Sequence, residues 1–397
     1  MTINKLTSII TTLPLLWVFT GLFIYDSDKD FVFICVVCFL FHIISNRKIN
    51  IRDQISQSPF IAILIASSIL AIITKLYVGQ STSVLRVLIS VTLLSMVINN
   101  TIIQRVKNNS VYLVSLSGVI SFFYIYIHSE LWHLPRHEWS VNAIPYTTMA
   151  AAISIISLYY FFRLKSRTQK LFAIIGYIFS FYGVIMSETR GTLIALITAT
   201  IILFTYQVIQ NKSKKHIVKL SIVPILILTL LAINTNFFKQ RYISTKNEIS
   251  SIYNGNLNTS IGYRIAMWQA GLELSKEPTL LGLGDSHIQE KQRLVDDGKA
   301  LQISVKWSHY HNDYISTFVK KGILGFILLI ITLCFPFYYH LKFKNEDSLI
   351  PCYVSIVYAV ASLTDIPLSQ SNSLILYLMI ILLFCRNPIS EGASYEK

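Results

Sequence analysis

The apolar residues of this chain are gathered in blocks of roughly 17–22, the length a helix needs to cross a bilayer, separated by short polar turns. Of its 397 residues 53% are hydrophobic and only 14% charged, against about 25% charged in soluble domains. The pattern describes an all-α polytopic membrane protein. The segments predicted to span are 8–25, 31–45, 59–74, 84–98, 110–128, 143–162, 171–187, 191–209, 219–235, 322–341, 349–364 and 373–385, about twelve in all.

Lysine and arginine in the short loops set the orientation. One set of loops reads "NRKINIRD", "QRVKNN", "FRLKSRTQK", "QNKSKKHIVK" and "KFKNE". The alternate set reads "DSDKD", "KLYVGQST", "HSELWHLPRHEW", "SETR" and "DIPLSQSN", and is markedly less basic. The first set is therefore predicted to face the cytoplasm with both termini, and the second to face outward. The net charge of +14 follows from this loop asymmetry and needs no nucleic-acid partner. Lys5 before the first apolar run, with no small-residue cleavage site after it, predicts an uncleaved first span. The five cysteines all lie inside apolar runs. Cys35 and Cys38 are one helical turn apart, and without a second ligand pair they read as packing residues.

Residues 236–321 are too polar for the membrane and long enough for a small lobe. The chain thus divides into residues 1–235 with nine spans, an outward lobe at 236–321, and residues 322–397 with three spans and a tail. The lobe contains an amphipathic helix, "IGYRIAMWQAGLELSKEP", in which Ile261, Ile265, Trp268 and Leu272 recur on one face. Asn258, Thr259 or Ser260 can cap it and Pro278 stops it. "LLGLGD" then makes a glycine turn.

The candidate chemistry collects at the outward boundary. "HYHNDYISTFVKKGILG" (309–325) leads from the lobe into the tenth span. Gly322 and Gly325, each costly in a helix, predict a short helix, a hinge at Gly322, and then the span. His311 and Asn312 stand at the start of that short helix, where an imidazole can serve as general base or be an interfacial histidine without a role. His309 and His311 lack an evident third ligand, so no metal site is predicted. Arg190, in "MSETRGTLIAL", stands at a helix N-terminus that already favours anions. A phosphate, an ion pair with Glu188 and a snorkelling arginine are all consistent with it. Arg264 sits about 60° from the centre of the lobe helix's apolar stripe, where it can face a cavity or solvent. Lys75, Arg86, Lys320 and Lys321 are further boundary cations. Asp365, in "LTDIPLSQ", can orient a base, bind a sugar hydroxyl or cap a helix. The loop "ELWHLPRHEW", with two tryptophans and two histidines, shows no metal signature. No P-loop, GxGxxG or GxSxG motif is present, which leaves nucleotide binding and serine hydrolysis without support.

The stretch "HNDYISTFVKKGILG" resembles the signature of the bacterial O-antigen ligases: His311, then Asn312, nine residues, Gly322, two residues and Gly325. The one large loop between the ninth and tenth spans is similar too, as are the arginine before the eighth span (Arg190) and the one on a helix of the large loop (Arg264). Asp365 corresponds to an aspartate near the outer end of the eleventh span. The resemblance implies a GT-C-like fold of about twelve spans in the bacterial inner membrane, with a periplasmic lobe and active site. It implies transfer of O-antigen polysaccharide from undecaprenyl pyrophosphate to an outer-core sugar of lipid A-core. It further implies an inverting, metal-independent reaction with no cofactor, nucleotide or nucleic acid. In that reading His311 is the base, and Arg190 and Arg264 hold the donor pyrophosphate. Asn312, Asp365, Lys321, Arg86 and Lys75 support them, Gly322 and Gly325 form the hinge, and apolar grooves between spans hold the lipid tails. The alternatives are an O-antigen polymerase, for which two sizeable outward loops are expected, a protein O-oligosaccharyltransferase, generally a longer chain, and a lipid-linked saccharide flippase or transporter, for which polar residues in mid-span are expected. A non-catalytic scaffold leaves the His-Arg-Arg set without a reason.

Overall fold

The structure is a computed structural model that describes residues 3–45, 49–210, 235–277 and 279–387. Every predicted span within them overlies a helix, and no strand occurs among the described residues. The span predicted at 219–235 lies outside them except for its last residue, as does Pro278, the expected stop of the lobe helix. The helices are α1 (Ile3–Phe19), α2 (Asp28–Ile44), α3 (Ile51–Gln57), α4 (Phe60–Tyr77), α5 (Thr82–Val97), α6 (Asn100–Asn108), α7 (Ser110–Tyr126), α8 (Ala143–Arg163), α9 (Arg167–Met186) and α10 (Arg190–Gln210), followed by α11 (Thr235–Tyr253), α12 (Ser260–Leu274), α13 (His287–Asp296), α14 (Asp313–Phe343), α15 (Leu349–Ala361) and α16 (Ser371–Phe384).

Among these, α4, α7 extended to Leu131, α8, α9, α10 and α14 are long and apolar enough to cross a bilayer. α5 and α6 make a seventh crossing if they are one span bent by 105°. The protein is thus a multi-pass membrane protein, but the described helices give six or seven full-length spans where the sequence pattern suggests about twelve. The shortfall has a physical source. α15 and α16 are only 13 and 14 residues long, and α16 is buried from Asn372 to Phe384. A helix enclosed by others need not match the lipid thickness on its own. α8 is likewise buried from Pro145 to Tyr160. Close backbone approach, not hydrophobicity, brings membrane helices together. At the α7–α9 crossing a Cβ on Gly118 would stand 2.5 Å from the Gly176 carbonyl oxygen.

The lobe helix α12 is capped by Thr259, whose hydroxyl accepts from the Gly262 N–H at 3.0 Å. Its packing face differs from the predicted stripe. The fully buried positions are Gly262, Ala266, Met267, Ala270 and Gly271, whereas Leu272 is 58% exposed. Small residues carry little hydrophobic signal, yet they let the helix close on its neighbours. A Cβ at Gly271 would lie 2.4 Å from Ile315 and 2.8 Å from Tyr310. Met267, Tyr310 and Val319 form the lobe's own core, with Tyr263, Leu274, Leu283 and Ile315 packed around them.

α14 is broken at Gly322, which has φ +66° and ψ −166°, a region essentially reserved for glycine. The amides freed by the break are taken up by the glycine turn of the lobe. Ile323 N–H donates to the Thr279 carbonyl at 3.1 Å, Leu324 N–H to Leu280 at 3.3 Å, and Leu283 N–H reaches back to the Val319 carbonyl at 2.8 Å. A Cβ on Gly322 would meet the Thr279 oxygen at 2.3 Å. Gly322→Ala is therefore expected to destabilise the protein by more than about 2 kcal/mol. The check is the thermal midpoint of the detergent-solubilised protein, with Gly255→Ala, at a site with open space around it, as the comparison.

Candidate active site

The site is assembled where the end of the lobe meets the α15–α16 connection. The backbone of residues 304–308 is held in place by two lysines. Lys291, fully buried, donates to the carbonyls of Ser304 (3.2 Å) and Trp307 (2.5 Å), and Lys320 donates to that of Ser308 at 2.7 Å. Tyr310 is sealed in the lobe core with its hydroxyl 3.3 Å from His287 Nδ1. The next residue, His311, takes φ +45°, a left-handed conformation that costs a non-glycine residue about 1–2 kcal/mol. His133 and Glu188 share it, at φ +49° and +58°. Lys344 shares it too, at φ +47°, as the C-cap of α14.

Asn312 is structural. Its carbonyl oxygen caps α14 by accepting from Ile315 N–H at 3.1 Å, and its amide donates to the Leu363 carbonyl at 3.1 Å. Asp313, fully buried, fastens the two segments together. Its N–H donates to the carbonyls of Ser362 (2.9 Å) and Asp365 (3.1 Å). Its carboxylate accepts from the Ser362 hydroxyl (3.1 Å), Leu368 N–H (2.8 Å) and the Ser369 hydroxyl (2.7 Å). The result sets His311 Nδ1 at 3.5 Å from the buried Asp365 carboxylate, which also accepts from Ile366 N–H at 2.8 Å.

This geometry corrects one argument made from the sequence. His309 and His311 do have a third potential ligand, because one donor atom each from His309, His311 and Asp365 lies within 4.8 Å of the others. The 54-residue separation of His311 and Asp365 hid it. Burial and the neighbouring charge of His311 push the His309 imidazole down to about 4, so it is neutral near pH 7.

Arg264 touches the same connection from the other side. Its Nε donates to the Thr364 carbonyl at 3.1 Å and one terminal nitrogen to the Ser260 hydroxyl at 2.9 Å. Arg190 pairs with Glu248 of α11 at 3.0 Å, and the other Glu248 oxygen accepts from Ile261 N–H at 3.1 Å, in the first turn of α12. A third guanidinium, missed in the sequence, comes from the aromatic loop: Arg136 donates to the Glu188 carbonyl at 3.2 Å. Burial and the opposing charge of Arg190 lower the Arg136 pKa. Burial lowers that of Arg264, with Asp365 and Glu248 acting against it and Arg136 and Arg190 with it. Three guanidinium groups thus repel one another beside two carboxylates, Glu248 and Asp365, and the excess positive charge favours an anion.

The remaining predicted cations part company. Arg86 belongs elsewhere: it pairs with Asp28 at 3.4 Å across α2 and α5, and no contact joins it to His311. Lys75 donates to the Gln80 carbonyl at 2.7 Å. Lys321 and Gly325 line a groove in the bundle.

A family description, O-antigen ligase, matches residues 175–330. The match takes in 156 of the 397 residues and is a likeness over that segment. The matched segment contains Arg190, Arg264, His311, Asn312, Lys321, Gly322 and Gly325, while Arg136 and Asp365 fall outside it. The chain is 31% identical over 218 residues to an uncharacterized protein of Haemophilus influenzae, covering 53% of this chain and 54% of that one. It is 29% identical over 234 residues to an O-antigen ligase of Escherichia coli K12, covering 57% and 54%. The chain spans about half the length of the curated relatives it matches.

One pH effect follows from the anchoring of this loop. Burial, with help from Lys320, Lys291 and His309, depresses His287 to about 3, whereas a free imidazole titrates near 6.5. Below pH 6.5 the unfolded chain takes up a proton that the folded protein refuses, so stability is lost as the pH falls from about 6.5 towards 3. The thermal midpoint of wild type should drop over that window more steeply than that of His287→Gln.

Proposed function

We propose that the protein is an O-antigen ligase: it moves O-antigen polysaccharide from undecaprenyl pyrophosphate to an outer-core sugar of lipid A-core, on the periplasmic face of the inner membrane. The observation that carries this reading is the meeting of base and cation cluster on adjacent residues. Asp365 faces His311 while the carbonyl of Thr364 holds Arg264. With its Nδ1 side turned to Asp365, the imidazole offers Nε2 to the acceptor. The acceptor hydroxyl attacks the anomeric carbon and yields its proton to His311. The bond from that carbon to the pyrophosphate oxygen breaks, and the leaving group departs on its lipid carrying the electron pair. Arg190 and Arg264, with Arg136 beside them, take up the developing charge by bidentate contacts. Attack opposite the leaving group inverts the anomeric centre. Guanidinium groups supply the charge stabilisation in this scheme, so the proposed reaction is metal-independent. EDTA should leave purified activity intact, and a loss restored by a divalent ion would place a metal on His309, His311 and Asp365.

The test of function is the lipopolysaccharide profile of a deletion strain. Core without O-antigen, together with accumulated lipid-linked polymer, is the expected outcome. Core bearing a single repeat unit is the polymerase phenotype and overturns the proposal.

A further inference from the structure

Two imidazoles and a carboxylate meet where the lobe joins the α15–α16 connection. Tyr310 is sealed in the lobe core. The residues on either side of it, His309 and His311, are partly exposed, with their rings 4.3 Å apart. The contacts of Asp313 bring Asp365 to them, so that one donor atom from each of the three lies within 4.8 Å of the others. His311 Nδ1 is buried and makes no hydrogen bond among the described residues. It stands 3.5 Å from the Asp365 carboxylate.

Two imidazole nitrogens and one carboxylate oxygen are a donor set for zinc that keeps one position open. Around a tetrahedral ion, donors bound at about 2.0–2.1 Å stand about 3.3 Å from one another. The His311–Asp365 separation of 3.5 Å is already close to that. The widest separation in the group is at most 4.8 Å, which leaves at most about 1.5 Å to close. The His309 ring can close it, because among the described residues it has ring contacts with Trp307 and His311 and no hydrogen bond to break. Magnesium and calcium take oxygen ligands and gain little from imidazole. The guanidinium groups beside Asp365 oppose every cation. An ion bound by charge alone is therefore disfavoured, whereas nitrogen ligation gives zinc an affinity to set against the repulsion.

We propose that His309, His311 and Asp365 form an inhibitory zinc site. The inference rests on the ligase reading, in which His311 is the general base. A neutral imidazole has one nitrogen lone pair, and its other nitrogen carries the hydrogen. In the working ring that hydrogen is on Nδ1, turned to Asp365, and Nε2 keeps the lone pair for the acceptor's proton. Zinc takes the lone pair of whichever nitrogen it binds, and the other nitrogen holds the hydrogen. The ring then has nothing with which to accept a proton from the acceptor hydroxyl. Asp365 is taken up by the same ion, so the carboxylate that steadies the protonated ring is lost as well. Zinc and the acceptor's proton thus compete for one lone pair.

The experiment uses the full-length protein in nanodiscs, stripped with EDTA and exchanged into chelator-free buffer. Zinc binding is measured by competition with a fluorescent zinc indicator. Glycan transfer is measured with and without zinc, each variant's metal-free rate serving as its own reference. Wild type should bind one zinc ion that His309→Gln, His311→Gln and Asp365→Asn each weaken by more than about 100-fold, since losing even a group behind a ligand costs about 10–100-fold. Zinc that saturates this site should slow wild-type transfer by at least about 100-fold, the smallest contribution typical of a general base. Excess chelator should restore the rate, and magnesium or calcium should not change it. The same zinc should not slow His309→Gln. The proposal is overturned by the absence of a zinc ion that depends on these three residues, or by undiminished wild-type transfer when that ion is bound. Inhibition that persists in His309→Gln also overturns it, by placing the zinc on the donor pyrophosphate or elsewhere, and stimulation of wild type overturns it by making zinc a cofactor. If zinc binds through the three residues but wild type transfers no glycan with or without it, the ligase reading falls and the metal site stands. Transfer by a protein that binds no such ion gives the reverse.

Discussion

His311→Ala is expected to lower glycan transfer by about 10²–10⁴-fold, the contribution typical of a positioned general base, while the protein inserts and folds. Among the described residues the imidazole makes no hydrogen bond that holds the fold. Its neighbours Tyr310, Asn312 and Asp313 anchor the loop, through the lobe core, the α14 cap and the Ser362–Ser369 connection. Truncation therefore removes chemistry and little structure. In a null strain carrying the variant, core lipopolysaccharide should stay uncapped although the protein reaches the membrane at wild-type levels. Asp365→Asn should cost less, because the amide still fills the space beside Nδ1 but no longer stabilises the protonated ring. Wild-type capping by His311→Ala would remove the base assignment.

The second large effect is expected at the arginines. Arg264→Ala and Arg190→Ala should each reduce turnover by about 10²–10³-fold, the loss measured when one preorganised donor to developing charge is deleted. The two differ in their side effects. Arg190→Ala strands Glu248, so part of its loss is structural, and the Arg190→Ala, Glu248→Gln pair separates that part. Arg264→Ala removes a donor from the Thr364 carbonyl and from the Ser260 carbonyl and hydroxyl, and its fold should survive. Lysine at either position keeps the charge but not the two-pronged contact, and intermediate activity is expected. Full activity of both alanine variants would dismiss the pyrophosphate clamp.

Much of this architecture is written locally in the sequence. The apolar blocks overlie helices because the period and length of a membrane helix are local properties. Gly322 stands out for the same reason, since a glycine ahead of an apolar run marks a backbone that cannot continue unchanged. The partners of the site residues are not local. His311 meets Asp365 only because Asp313 binds the α15–α16 connection, and no pattern within either segment reports that. Arg86 looked equivalent to Lys75 as an outward cation until the packing of α2 on α5 gave it Asp28. Arg136 sat unnoticed in a loop read for its aromatic residues. The buried face of α12 escaped a hydrophobic count because glycine and alanine, which set its closest contacts, weigh least in such a count.

The most direct test of the account is reconstitution. Purified protein is mixed in EDTA with undecaprenyl pyrophosphate-linked O-antigen and lipid A-core, and the glycan is followed on a gel. The account predicts that wild type moves the polymer onto lipid A-core and that His311→Ala, equally folded, does not. Elongation of the lipid-linked donor with the core left bare, or transfer by His311→Ala at the wild-type rate, would contradict it.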